Sequence, residues 1–66
     1  MRKWLLDLRK GRTQAEVAKA AGITQQMYSA IERGERWPSV KVAKRLAAVL
    51  GFDWTRLYED DKGNDE

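Results

Sequence analysis

Four times along this chain a glycine is followed, two to five residues later, by a residue that caps helices. The pairs are Gly11 and Thr13, Gly22 and Thr24, Gly34 and Ser39, and Gly51 and Asp53. Glycine closes helices because it tolerates the left-handed backbone. Ser, Thr and Asp open them by accepting a hydrogen bond from an otherwise unsatisfied N–H. The punctuation cuts residues 1–58 into five short segments. Each is too short to hold a helix alone in water, so each must bury one face against the others.

The apolar residues within the segments keep helical spacing, and no stretch alternates with the period of a strand. The first helix is predicted over Arg2–Lys10, with Trp4, Leu5 and Leu8 on one stripe and Gly11 as its stop. Residues 13–16 (TQAE) form a capping box, in which the Thr13 hydroxyl accepts from the Glu16 N–H and the Glu16 carboxylate reaches back. The second helix then runs to about Ala20, burying Val17, Ala18 and Ala21, and Gly22 takes the left-handed turn. Thr24 caps a third helix that turns Tyr28 and Ile31 to the core and ends before Gly34. Pro38 disfavours helix at Trp37. Ser39 caps a fourth helix with Val40, Ala43, Leu46, Ala47 and Leu50 inward. Asp53 caps a last short one carrying Trp54 and Leu57. Trp4, Phe52 and Trp54 are expected to supply bulk that so small a core otherwise lacks. The expected fold is all-α, a compact five-helix globule.

Composition narrows the chemistry. A chain of 66 residues is one small domain. With no cysteine and no histidine, disulfide staples, the usual zinc sites and Cys- or His-based nucleophilic catalysis are excluded. No paired carboxylates occupy a plausible cleft position, so an enzyme is not expected, nor a metal, a cofactor or a small-molecule ligand. No apolar run approaches a membrane span, and the first ten residues (MRKWLLDLRK) have too interrupted an apolar core for a signal peptide; a cytoplasmic protein is expected. Charge is distributed unevenly. Residues 1–58 carry twelve Lys/Arg against five Asp/Glu, a body of +7, whereas residues 59–66 (EDDKGNDE) are acidic and expected to be disordered. A compact basic body suits a polyanionic partner.

Between Gln14 and Arg33 the apolar positions Val17, Ala21, Ile23, Tyr28 and Ile31 surround small Ala18 and Gly22. Two helices crossing steeply need a small residue at the contact, and the tight turn between them needs one tolerant of positive φ. This is helix-turn-helix spacing, in which the second helix enters the DNA major groove.

The stretches TQAEVAKAAGIT, SAIERGERWPS and VAKRLAAVLGFDW together resemble the phage repressor/Cro-like (Xre-type) helix-turn-helix family, the joint match resting on Gln14, Ala18, Gly22, Ile23, Ile31, Glu32, Gly34, Pro38 and Ser39. The resemblance implies a five-helix, lambda-repressor-like DNA-binding domain over residues 1–58, acting as a bacterial or phage transcriptional regulator. It implies a repressor on a near-palindromic operator, and a homodimer at least on double-stranded DNA. Gln25, Gln26, Ser29 and Ala30 fall where the family reads bases; Gln is one of two side chains able to pair both N7 and N6 of adenine. Gln14, Thr24, Arg33, Arg36, Ser39 and Lys41 fall at candidate phosphate contacts, Gln14 also bracing the first recognition glutamine. Arg9 takes the place of the family arginine that pairs with Glu32.

Three features depart from the pattern. The turn RKGRT between the first two helices is about two residues short. Tyr28 replaces an aliphatic residue and is expected to bury its ring with the hydroxyl near the surface. Glu35 stands where a basic residue is usual and should repel phosphate. Met27 is read as packing rather than touching a sugar. The last helix, with Trp54, Arg56, Leu57 and Tyr58, is the candidate dimer face. Two further readings remain open at this point: the antitoxin of a toxin pair, with the acidic tail facing the toxin, and a helical protein-interaction module that does not bind DNA.

Overall fold

The computed structural model describes residues 1–59, so the acidic segment beyond them lies outside it. Four helices, α1 (Lys3–Arg9), α2 (Gln14–Ala21), α3 (Gln25–Arg33) and α4 (Val40–Leu50), are followed by a single helical turn, α5 (56–59). There is no strand among the described residues.

The caps form where the glycine punctuation places them. Thr13 and Glu16 make both hydrogen bonds of the capping box, and Thr24 and Ser39 accept from the Met27 and Val42 N–H groups. The Asp53 carboxylate accepts from both the N–H and the hydroxyl of Thr55, opening the turn into α5. Gly22, Gly34 and Gly51 end α2, α3 and α4 in the left-handed conformation.

The stop after α1 differs from expectation. The helix begins at Lys3 and ends at Arg9, and the positive φ falls on Lys10 (φ 54°, ψ −124°) rather than Gly11. The Arg12 N–H donates to the Arg9 carbonyl at 3.0 Å, closing a four-residue turn with Lys10 in a position that ordinarily requires glycine. The shortened connection leaves no residue to absorb the reversal, so a lysine carries the strain.

α2 packs across α3 and against α4, with α1 lying over α3. The core is Leu5, Val17, Ala18, Ala21, Tyr28, Ile31, Ala43, Leu46, Leu50 and Leu57. Trp4, Phe52 and Trp54 pack around it; the Trp4 and Phe52 rings meet edge to face at 5.0 Å. Ala18, essentially inaccessible, is the small residue at the crossing of α2 and α3. Val40, expected inward, is 48% exposed beside a 60% exposed Trp37. It stands in the first turn of α4, ahead of the part of that helix that α2 covers.

Candidate nucleic-acid interface

α3 is held at one end and open at the other. The hold centres on Glu32, whose side chain is 1% exposed. Arg9 from α1 donates through Nε to Oε2 at 2.9 Å and through Nη2 to Oε1 at 3.2 Å. Gln14 from α2 donates Nε2 to Oε1 at 2.8 Å, and the Tyr28 hydroxyl, one turn back on α3, donates to Oε2 at 2.9 Å. Four donors from three helices therefore converge on one carboxylate. Burial pushes the Glu32 carboxyl up, but the hydrogen bonds from Arg9, Gln14 and Tyr28 outweigh it and hold it below the usual glutamate range. Burial first, and the neighbouring carboxylate second, keep the Tyr28 hydroxyl protonated well above the usual tyrosine range.

Arg2 completes the hold. It is buried, its backbone N–H donates to the Glu32 carbonyl at 2.8 Å, and its guanidinium donates to the Ile31 carbonyl. Cations favour the C-terminus of a helix, where carbonyls lack partners and the dipole is negative.

At the opposite end Gln25 and Gln26 stand exposed in the first turn, with Thr24 capping beneath them. Residues four apart share a helix face, so Gln25, Ser29 and Arg33 form one column with Gln26 and Ala30 beside it. Ser29 and Ala30 are half-buried, and Met27 packs against the core. An exposed, capped first turn beside the small-residue crossing of α2 and α3 has the shape of a groove-entering helix.

Residues 2–57 match the family model described as Helix-turn-helix. The chain belongs to the Cro/C1-type, Xre-like helix-turn-helix family. It is 56% identical over 62 residues to the HTH-type transcriptional regulator YqaF of Bacillus subtilis (strain 168), covering 91% of this chain and 82% of that protein. It is 38% identical over 52 residues to the HTH-type transcriptional regulator MJ0272 of Methanocaldococcus jannaschii, covering 76% and 79%. A further HTH-type regulator, from Methanothermobacter thermautotrophicus, is 42% identical over 53 residues, covering 77% of each. No solved structure matches the chain. As a member of this helix-turn-helix family the protein is a DNA-binding regulator and not an enzyme.

Against the family pattern, the structure redistributes several expected contacts. Gln14 spends one amide N–H on Glu32. The amide nitrogen has two N–H groups, so one goes to the carboxylate, which can only accept, and the second remains available to an acceptor such as a phosphate oxygen. A phosphate near the start of α2 would also meet backbone N–H groups. The Tyr28 hydroxyl is not near the surface; the whole residue is 0% exposed, and Glu32 draws the hydroxyl inward. Arg33 donates to the Ser29 hydroxyl and to the Glu35 carboxylate at 3.0 Å, so two of the five N–H donors of its guanidinium are engaged and its charge is paired. Arg36, Ser39 and Lys41 are exposed around the start of α4, with the Ser39 oxygen serving as cap.

Of the four dimer-face residues, Leu57 is corrected: it is 0% exposed, a core residue facing inward from α5. Arg56 lies over the Trp4 ring at 4.3 Å. Tyr58 donates its hydroxyl to the Pro38 carbonyl at 2.7 Å, and its ring lies 6.0 Å from both Trp37 and Trp54. Lys44 sits 5.3 Å from the Trp54 ring. These rings outline an aromatic strip that joins the loop after α3 to α5.

The buried Arg2 and the inward Gln14 amide escaped the sequence reading. The available signal was Glu32 itself, since a carboxylate opposite a buried Tyr28 on a core-facing turn needs more donors than one arginine supplies.

Proposed function

We propose that this regulator is a sequence-specific repressor that binds a near-palindromic operator as a dimer, with α3 in the major groove. The observation that carries the reading is the exposed Gln25–Gln26 pair on the first turn of a helix whose other end is anchored. Glutamine amides give a core nothing; on a free helix N-terminus they suit the N7 and N6 edges of adenine. Ser29 and Ala30 extend the reading edge by one turn, Ala30 through apolar contact with a thymine methyl. Thr24, Arg36, Ser39 and Lys41 flank it on the phosphate side.

One helix-turn-helix reads a half-site, and two-fold pairing brings specificity into a useful range. Trp54, Tyr58 and the adjoining Trp37 offer the apolar surface for that pairing, Arg56 its charged margin. The cytoplasm follows from the DNA target; the structure contributes only that no described helix is long and apolar enough to cross a membrane.

Selection of bound duplexes from a random library at near-physiological salt tests the reading. Two inverted half-sites about one helical turn apart are expected. On the selected site Gln26→Ala costs about 1–3 kcal/mol and relaxes one base position. Equal weakening on every duplex would refute base reading by Gln26, and recovery of unenriched DNA would refute sequence-specific binding.

A further inference from the structure

Arg33 and Glu35 are brought together by backbone geometry rather than by chance on a loose loop. α3 ends in a two-bond closure in which the Glu35 N–H donates to the Ala30 carbonyl at 2.9 Å and the Gly34 N–H to the Ile31 carbonyl at 3.1 Å, with Gly34 left-handed between them. The closure folds Glu35 back beside the helix it has just left. There its carboxylate accepts from Arg33 Nη2 at 3.0 Å, while Arg33 Nη1 donates to Ser29 on the column that begins at Gln25.

We propose that Glu35 acts as an internal stand-in for a DNA phosphate: it occupies the Arg33 guanidinium on the recognition face and withholds that cation from the duplex until a phosphate displaces it. The inference rests on the DNA-binding reading above and adds a regulator of its strength. The chemistry of the two occupants is the same, an anionic oxygen accepting a guanidinium N–H. The hydrogen bond from Arg33, and then its charge, hold the Glu35 carboxyl below the usual glutamate range, so the stand-in stays ionised. Both groups are exposed, and exposed pairs are weak. The pair therefore adds little to the fold and can give way to the dense phosphate charge of a duplex. Its effect is to lower affinity for DNA of any sequence and to flatten the dependence on salt. A small basic body is thereby kept from settling on non-specific DNA.

Fluorescence anisotropy with the full chain and a labelled short duplex of mixed sequence tests this, using wild type, Glu35→Gln, Arg33→Gln and the double variant, each checked for helicity. Glu35→Gln is expected to tighten binding by a factor of roughly two to five at low salt, the range exposed ion pairs are worth. One more phosphate contact steepens the slope of log K against log salt by about 0.9, so the advantage shrinks about threefold between about 50 and 200 mM. In the Arg33→Gln background the same change is expected to do much less. Equal tightening in both backgrounds would mean that Glu35 merely repels phosphate through space, and the proposal is then wrong. No tightening in either background overturns it as well. Failure of all four proteins to bind at low salt would sink the DNA-binding reading itself, a different result from a wild type that binds and a Glu35→Gln that binds no better.

Discussion

The Glu32 clamp makes a quantitative prediction through Arg9. Replacing Arg9 with Met keeps much of its aliphatic bulk but removes two of the four donors from a carboxylate that is 1% exposed. Removing one partner of a buried pair costs about 3–5 kcal/mol when the other is left bare. Glu32 is not left bare, because Gln14 and Tyr28 still donate, and Arg9 is 16% exposed, so water can reach part of the vacated place. The cost is therefore expected below that range, at about 2–3 kcal/mol. A domain of this size holds roughly 3–10 kcal/mol, so the loss is a large share of its stability. Urea unfolding followed by tryptophan fluorescence measures it as a fall in midpoint at unchanged slope. In a Glu32→Gln background, where no buried charge remains, Arg9→Met is expected to cost under about 1 kcal/mol, the difference being the coupling between the two. The penalty also depends on pH. With Arg9 gone, burial acts on Glu32 with less opposition and raises its folded pKa, so the penalty is complete above that raised pKa and fades as pH falls through it towards the lower wild-type one. A single-variant cost under about 0.5 kcal/mol, or one equal in both backgrounds, would refute the view that Arg9 neutralises a buried carboxylate.

Other consequences are open to simpler tests. Lys10→Gly relieves a positive φ on a side-chain-bearing residue and is expected to stabilise the fold by about 1 kcal/mol, raising Tm by roughly 4–8 °C in a thermal melt. Gly22→Ala places a Cβ on a left-handed residue 3.3 Å from the Arg45 guanidinium; a loss of about 1–2 kcal/mol is expected by the same melt. In the wild type the folded Glu32 pKa lies below its unfolded value. Its contribution is complete above about 4.5 and is lost as pH falls through the folded pKa, visible as a declining urea midpoint in acid. Tyr28 has the opposite sign. Its folded pKa is raised, so stability is intact below the ordinary value of 10.0 and declines as pH rises beyond it; Tyr28→Phe is expected to reduce that alkaline decline to the share left by Tyr58, whose pKa burial also raises.

The helices were legible because their boundaries are written in local chemistry. Thr13, Thr24 and Ser39 each satisfy a neighbour three residues on, and Gly22, Gly34 and Gly51 each reverse the backbone at their own position, so no knowledge of tertiary structure is needed. The candidate reading edge was legible for a related reason, since Gln25 and Gln26 are conspicuous only because nothing inside the fold uses them. What escaped reading depended on distant partners. Arg2 looks like an ordinary charged terminus until α1 lies over the end of α3 and brings the Ile31 and Glu32 carbonyls to it. Val40 continues the apolar spacing of α4, but periodicity does not reveal where the covering helix stops. Leu57 and Tyr58 are neighbours in sequence on one short turn, and only packing separates the fully buried residue from the half-buried one. Lys10 was misread through its neighbour: a glycine in a turn draws attention, yet the hydrogen bond from Arg12 to Arg9 fixes the difficult position one residue earlier.

The distribution of charge along α3 ties the anchor to the reading edge. A helix C-terminus is electronegative, and Glu32 near that end makes it more so; alone, the residue would be doubly unfavourable. Arg2 and Arg9 reverse the balance, and because they come from the chain start and from α1, neutralising the end also fixes the helix in place. The N-terminus has the opposite field. It carries no basic or acidic side chain in its first turn, only the Thr24 cap and two neutral amides. Its exposed N–H groups and positive dipole favour what a DNA groove presents, phosphate oxygens at the rim and acceptor atoms on the base edges. A lysine or arginine at position 25 or 26 would turn the preference from adenine towards guanine and add attraction for phosphate besides. On the proposed reading, neutral glutamines leave attraction to the flanking Arg36 and Lys41, and to Arg33 once Glu35 releases it, while the reading edge responds to base identity. On that reading affinity and specificity sit on separate residues of one short helix and its flanks. That separation is why exchanging Gln25 or Gln26 is expected to move the preferred sequence, whereas exchanging Glu35 is expected to move the strength of binding on all sequences together.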